Sequence, residues 1–312
     1  MENIKKGGNI SLMNLPESTL ECILKRLSPM ELIKMCEVCT CLRDRCRSDH
    51  LWDNHVKQKW GRVIGDAAYK EWQWHITTAK EEGNHLNQHI KQKGSLGSFA
   101  GAWPMLYLGS YLEDCNHLRR LSNNFMMTLY FSLESGKFWF SAQVYKGLVV
   151  SDALVRYDSK TDTFQARQQS GGWRLIGSNI QWDKLRSHPI NTLPCIRHVS
   201  DCSEDLKPGD HIEIQWKGSI ELPYDWWYAV IGHFDSCNEN ENYCGCHNSE
   251  TLIVEFKQYS QGSSMRGIKL LRNGEQYEEP AGYYGGIRKL HNEEEIERWK
   301  KLLPLHLIPD YR

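Results

Sequence analysis

The chain has 312 residues, 40% of them apolar and 25% charged, with a formal net charge of −1. That length suits two domains and a sizeable core, and the balance is that of an ordinary globular protein. The near-neutral charge carries no footprint for nucleic acid or an anionic membrane, and no apolar run reaches membrane-spanning length, so neither kind of partner is expected.

The opening MENIKKGGNI has no apolar signal core. With no such signal, eleven cysteines point to a reducing compartment, cytoplasm or nucleus, rather than to a disulfide framework.

After Leu15-Pro16, the residues Leu20, Ile23, Leu24 and Leu27 recur at i, i+3, i+4 and i+7, which places them on one helix face. Ser28-Pro29-Met30-Glu31 restarts a helix: Ser28 suits the cap, Pro29 the first turn and Glu31 the reciprocal bond of a capping box. Leu32, Ile33, Met35 and Cys36 supply its apolar side. A third element carries Val38, Cys39 and Leu42, and a fourth, capped by Ser48 or Asp49, carries Leu51, Trp52 and Val56. Four short helices cannot bury so many apolar positions among themselves, because small units hide too little surface. A partner or a second domain is expected to cover the rest.

Leu15-Pro16, the Leu20/Ile23/Leu24/Leu27 face, Ser28-Pro29 with Leu32, Val38-Cys39, Leu42-Arg43 and Leu51-Trp52 together resemble an F-box. The departure is Thr40-Cys41, where many members carry a basic or bulky aromatic pair. The resemblance implies docking on the Skp-type adaptor, and through it the cullin scaffold, of an SCF-type ubiquitin ligase. By this carry-over the adaptor-binding residues are Leu15, Pro16, Leu20, Ile23, Leu24, Leu27, Pro29, Leu32, Val38, Cys39, Leu42 and Trp52. Cys36, Cys39 and Cys41 have a near metal-like spacing, yet the first two stand where the pattern wants small apolar side chains, and a buried thiol behaves as one.

Residues 11–78 are read as the F-box with supporting helices, in which Asp66 caps a helix bearing Trp72 and Ile76. Residues 79–124 are polar and lack apolar period, which reads as a linker or a poorly ordered region, although Trp103 to Leu108 forms an apolar piece. Residues 125–312 are read as β-rich. Met126 to Leu133 alternates weakly, and Phe138 to Tyr145 is a strand rich in aromatic and β-branched residues. Leu148 to Val150, Ala153 to Tyr157, Thr161 to Arg167, Trp173 to Ile176 and Trp182 to Leu185 continue the series. In His211 to Trp216, apolar Ile212, Ile214 and Trp216 alternate with polar residues, as in a half-buried strand. Trp226 to Ile231 and Leu252 to Phe256 are further strands, and Gly282 to Gly286 reads as an aromatic turn bracketed by glycine. The described series closes on a helix capped by Asn292, with Glu293 to Glu295 at its positive end and Ile296, Trp299, Leu302 and Leu303 on one face. The fold class is therefore α+β, helical bundle first, β-rich domain second, helix last.

Pro208-Gly209-Asp210, the alternating strand and the Trp-rich strand after it resemble small SH3-like barrels of the Tudor and Agenet kind. That implies an aromatic pocket for a cationic side chain, with Trp216, Trp226, Trp227 and Tyr228 as substrate-binding candidates. Alternation sends Trp226 and Tyr228 to one sheet face and Trp227 to the other, and a purely structural role in the core is the competing reading. The phrases GKFWFSAQVY, YDSKTDTFQAR and PGDHIEIQW further resemble a plant F-box subfamily, from which no catalytic or ligand residue carries over.

His233, Cys237, Cys244, Cys246 and His247 gather five soft ligands in fifteen residues. Zinc is the metal that such a set selects. Adjacent Cys246 and His247 do not both ligate easily, which leaves His233, Cys237, Cys244 and Cys246, and metal-free loop cysteines are the alternative.

No Gly-rich phosphate loop, G-x-S-x-G elbow or H-E-x-x-H is present, and no histidine pairs visibly with a nucleophile. What the F-box resemblance implies is a non-catalytic role, a receptor subunit that holds a target protein near a ubiquitin-charged enzyme, and no cofactor beyond the candidate zinc is expected. A reader of modified peptides or a lectin-like module is the alternative.

Overall fold

The computed structural model describes residues 12–64, 125–136, 139–168, 175–189, 196–235, 237, 244–260, 262–272, 277–279 and 282–303. The helix expected after Asp66, the linker at 79–124 with Trp103 to Leu108, and Trp173 lie outside the described residues.

The first helices form where the capping signals place them. Helix α1 (Glu17–Leu24) starts directly after Pro16. Its backbone ends before Leu27, whose N–H bonds Leu24 O in a tight turn, so Leu27 lies past the helix rather than on its face. In α2 (Pro29–Cys36) the Ser28 hydroxyl accepts from Glu31 N, and Glu31 Oε2 accepts from Ser28 N at 2.7 Å. Helix α3 (Thr40–Cys46) is capped by Cys39, whose Sγ accepts from Leu42 N at 3.4 Å. Helix α4 covers 49–64.

Residues Phe125–Glu134 form helix α5, not a strand. Met126, Leu129, Tyr130 and Leu133 are its buried positions, at helical spacing. The period is hard to see in this stretch because apolar residues such as Met127 and Phe131 also stand outside the buried positions.

Among the described residues, eleven antiparallel strands form one sheet: β1 (Phe140–Lys146), β2 (Val149–Asp158), β3 (Thr163–Arg167), β4 (Leu175–Ile180), β5 (Leu185–Arg186), β6 (His211–Lys217), β7 (Asp225–Gly232), β8 (Thr251–Glu255), β9 (Gly267–Leu271), β10 (Tyr277–Glu279) and β11 (Gly282–Lys289). The main path runs β10-β11-β6-β7-β2-β1-β5, with β3-β4 branching from β2 and β8-β9 from β7. The two stretches read separately around Leu148 and Ala153 merge into the single strand β2. Strands β9 and β10 are additions to the sequence reading.

The expected barrels do not form. A barrel closes only when its terminal strands pair, whereas this sheet stays open. Strand β2 gives one edge to β1 and divides the other between β7, at Val149 and Val150, and β3, at Leu154 to Asp158. Strand β7 likewise divides an edge between β2 and β8. Each long strand thus splays the sheet into two lobes instead of curling it shut.

The aromatic turn expected at Gly282 to Gly286 is the start of β11, with a register shift between Tyr284 and Ile287. Glycine is required there by close approach. A Cβ on Gly286 would stand 2.0 Å from His198 O, and one on Gly285 2.7 Å from Gln215 Oε1.

Strand β6 is not half-buried. Its alternate residues Glu213, Gln215 and Lys217 are as enclosed as Ile212 and Ile214. The C-terminal helix α6 (Glu293–Leu302) covers one end of that polar face, with Trp299 Nε1 donating to Glu213 Oε1 at 2.7 Å. The segment around His198 covers the other end, where its N–H donates to Gln215 Oε1 at 2.7 Å.

One apolar core runs without interruption from Leu20 and Leu24 through Trp52 and Trp60 to Phe140, Tyr157 and Phe164 of the sheet. A second core fills the β6–β9 and β11 lobe. A third, between the lobes and α6, joins Tyr145, Val150, Trp226, Tyr228 and Trp299.

Candidate functional site

The sheet covers only one side of the N-terminal helices. Trp52 packs on Tyr130 and Phe131 of α5, at ring centroid distances of 5.4 and 5.2 Å. Trp60 packs on Phe140, Tyr157, Phe164 and Trp182. The second domain expected from unburied helix surface is therefore this chain's own sheet. What it leaves open is Pro16, Met30 (60% exposed) and Val38 (67% exposed).

The twelve residues expected to dock on the adaptor divide by burial. Leu20, Leu24, Leu32, Leu42 and Trp52 are core residues. Leu15, Ile23, Leu27, Pro29 and Cys39 are half-buried, while Pro16 and Val38 are exposed. The first group sets the shape of the helices, and only the others leave side-chain surface open. Met30, which sequence reasoning left out, is exposed as well: it stands in the first turn of α2, three residues before half-buried Ile33 and on the same face. Its signal was an apolar side chain within the capping box. A recess of about 380 Å³ beside Glu17, Glu21, Arg45 and His50 gives this region a charged border.

The four aromatics proposed for substrate are placed on two faces, as alternation requires. Trp226 and Tyr228 are 3% and 1% exposed, and Tyr228 stacks on Trp299 at 5.4 Å. Trp216 and Trp227 meet each other on the opposite face at 4.8 Å. The rings do not surround a common point. Next to Trp216, the chain's own Lys217 lies against rings, with Nζ 4.5 Å from that of Tyr224 and 5.8 Å from that of Tyr283.

Two buried polar arrangements lay beyond sequence reasoning, because their members are far apart in the chain. In the first, Ser141 Oγ lies 2.7 Å from His188 Nε2, and His188 Nδ1 lies 2.9 Å from Asp152 Oδ1. A histidine does therefore pair with a nucleophile-type side chain, contrary to expectation. Ser141 is 1% exposed in the middle of β1, so the trio works as internal hydrogen bonding across the sheet. In the second, Glu213 receives a bidentate pair from Arg186 at 2.6 and 3.0 Å, and also bonds Arg288 and Trp299. Burial alone would raise the Glu213 carboxyl, but the two guanidiniums outweigh it and hold the group down to about 2.

A recess of about 510 Å³ lies between the 197–205 segment and the edge of the β6–β11 lobe. Val199 (83% exposed) and Leu271 stand at it with Arg197, Asp201 and Arg272. Burial holds the His198 imidazole below its ordinary range.

His233, Cys237, Cys244 and Cys246 are brought together as spacing suggested. Their ligand atoms all lie within 4.8 Å of one another. Cys244 and Cys246 are buried, and His233 and Cys237 half-buried. Cys36, Cys39 and Cys41 have other places: core, cap of α3, and surface.

The F-box domain family matches residues 12–54. Two relatives from Arabidopsis thaliana align over nearly the whole chain. The F-box protein At2g26850 is 43% identical over 317 aligned positions, spanning 96% of this chain and 84% of the relative. The F-box protein At2g41170 is 41% identical over 322 positions, spanning 97% and 86%. This chain belongs to the F-box proteins.

The F-box match spans α1, α2, α3 and the start of α4. The likeness to these F-box relatives also runs through the segments that form the open sheet and α6. Among the described residues, no helix is long and apolar enough to cross a membrane.

Proposed function

We propose that this F-box protein is the target-receptor subunit of an SCF-type ubiquitin ligase, docking on a Skp-type adaptor through α1–α3 and presenting a target protein from its β lobe. The observation that carries the reading is the F-box itself, with Pro16 before α1, Met30 in α2 and Val38 in the turn before α3 exposed, away from the side that the sheet covers. Exposed apolar side chains on a rigid base suit a protein partner.

Ubiquitin transfer would then be a matter of proximity. The continuous core from Trp52 to Phe164 makes the F-box and β lobe one body, so a target held on the lobe keeps a set distance from the ligase scaffold. That raises the effective concentration of a target lysine without chemistry from this chain.

Co-expression with a Skp-type adaptor tests the reading. The parent chain is expected to co-purify with the adaptor. A variant with Met30→Glu and Val38→Glu is expected to keep its thermal midpoint, both sites being exposed, and to lose at least about tenfold in affinity. Undiminished adaptor binding by the folded double variant, or none by the parent, would refute the proposal.

A further inference from the structure

We infer that His233, Cys237, Cys244 and Cys246 bind one structural zinc ion. In tetrahedral zinc sites Zn–S is about 2.3 Å and Zn–N about 2.0 Å, so ligand atoms stand about 3.5 to 3.8 Å apart. Cys237 Sγ and Cys244 Sγ are 3.3 Å apart, and each lies 3.4 Å from His233 Nδ1. With Cys246 inside the same 4.8 Å set, one ion at the centre reaches all four.

The surroundings suit thiolates. Cys246 N donates to Cys244 Sγ at 3.4 Å, and Phe234 N donates to Cys246 Sγ at 3.5 Å. Backbone N–H groups aimed at ligand sulfurs are the outer-shell bonds that orient and tune such ligands. Three thiolates, one neutral imidazole and Zn²⁺ sum to one negative charge. Arg272 lies beside it, with Nη2 donating to Cys246 O at 3.4 Å.

The donor set also selects the metal. Three sulfurs and one imidazole suit zinc, whereas Mg²⁺ and Ca²⁺ take oxygen ligands. Iron–sulfur clusters spread their ligands over several irons, and this set closes around one point. Four protein ligands leave no open position, so the ion is structural rather than catalytic.

Its mechanical role follows from position. The cluster ties His233, just after β7, to Gly245–Asn248, the short 3-10 turn just before β8. Arg272 passes that order on. Besides Cys246 O it donates to Ser249 O at 2.6 Å, to Ser203 O at 2.5 Å and to Leu206 O at 3.1 Å. Arg272 and Ser203 both line the 510 Å³ recess, so metal binding braces one wall of it.

The test uses the full-length reduced chain, reconstituted with zinc and dialysed against metal-free buffer. About one zinc per chain is expected to remain, and Cys244→Ser with Cys246→Ser is expected to lower that at least about tenfold. Cys202→Ser, a buried thiol outside the cluster, is expected to leave it unchanged. Loss in the double variant would also follow from misfolding, so Co²⁺ is placed in the parent chain as a reporter. The expected spectrum is that of a tetrahedral thiolate site, and His233→Cys is expected to keep the metal and strengthen the thiolate charge-transfer band. Near-zero zinc in the reconstituted parent, unchanged zinc in the double variant, or an octahedral cobalt spectrum would each overturn the assignment.

Discussion

Asp49 Oδ1 accepts the backbone N–H of Met126 at 2.7 Å, across 77 positions of sequence. The acceptor stands in the first turn of α4 and the donor in the first turn of α5. One carboxylate thus satisfies an N–H that α5 cannot pair internally, and its charge meets the positive end of that helix. Asp49→Ala is expected to lower stability by about 1 kcal/mol. Thermal unfolding would show it, and an unchanged midpoint would mean that α5 is not held by this cap.

Trp60 is the larger join between the F-box and the sheet. Its ring is fully buried and lies 5.1 Å from Tyr157 and 5.2 Å from Trp182. Truncating it would leave a cavity among Phe140 of β1, Tyr157 of β2, Phe164 of β3 and Trp182, which relax little in a close-packed core. Trp60→Ala is expected to cost about 3 to 5 kcal/mol. Limited proteolysis would then release the helices from the sheet. A variant with unaltered stability and cleavage pattern would show that the two parts are independent.

These joins also explain what the sequence made legible. The F-box helices could be read because their signals are local: Ser28, Pro29 and Glu31 act within one turn. The Cys/His cluster could be read because its members share a loop and soft-ligand chemistry is restrictive. Helix α5 was misread because apolar residues such as Met127 and Phe131 extend beyond its buried positions and its cap, Asp49, is remote. The sheet's failure to close was hidden because it depends on how β2 and β7 divide their edges among partners, which no single strand's pattern encodes. Glu213 looked like a solvent-facing residue because alternation is silent about Trp299, 86 positions later.

Glu213 also anchors a charge network that can be tested directly. Arg186 spans Glu213 and Gln143, while Arg288 spans Glu213 and Glu295. Burial works against the Arg186 guanidinium, yet the carboxylate keeps it firmly protonated. Glu213→Gln would preserve shape and leave two enclosed guanidiniums short of their countercharge. The expected loss is about 3 to 5 kcal/mol at neutral pH, read from denaturant midpoints. The folded carboxyl titrates near 2 against an ordinary 4.5, so its contribution is present above the ordinary value and fades as pH falls toward the folded one. The parent–variant gap is therefore expected to narrow below about pH 4, and a gap that is flat down to pH 2 would count against the ion pair.

Asp225 has the opposite sign. Burial on β7 pushes its carboxyl up to about 6 from an ordinary 3.8, against a lowering hydrogen bond from Ser151 and the charge of Lys146. A raised folded value means that the native state holds the proton more tightly than the unfolded chain. Its stabilising contribution is complete below 3.8 and is lost as pH rises through about 6. At neutral pH the parent therefore carries a partly desolvated carboxylate, which Asp225→Asn would remove while keeping an acceptor for Ser151. The variant is expected to exceed the parent by up to about 3 kcal/mol at pH 7, since two units at about 1.4 kcal/mol each set the ceiling. The two should converge near pH 4. His55, His198 and His211, all held low by burial, lose stability as pH falls through this range. They do so in both proteins, so the difference between parent and variant isolates Asp225. A parent that stays more stable than the variant at pH 7 would show that the carboxylate is better solvated or better paired than its position on β7 implies.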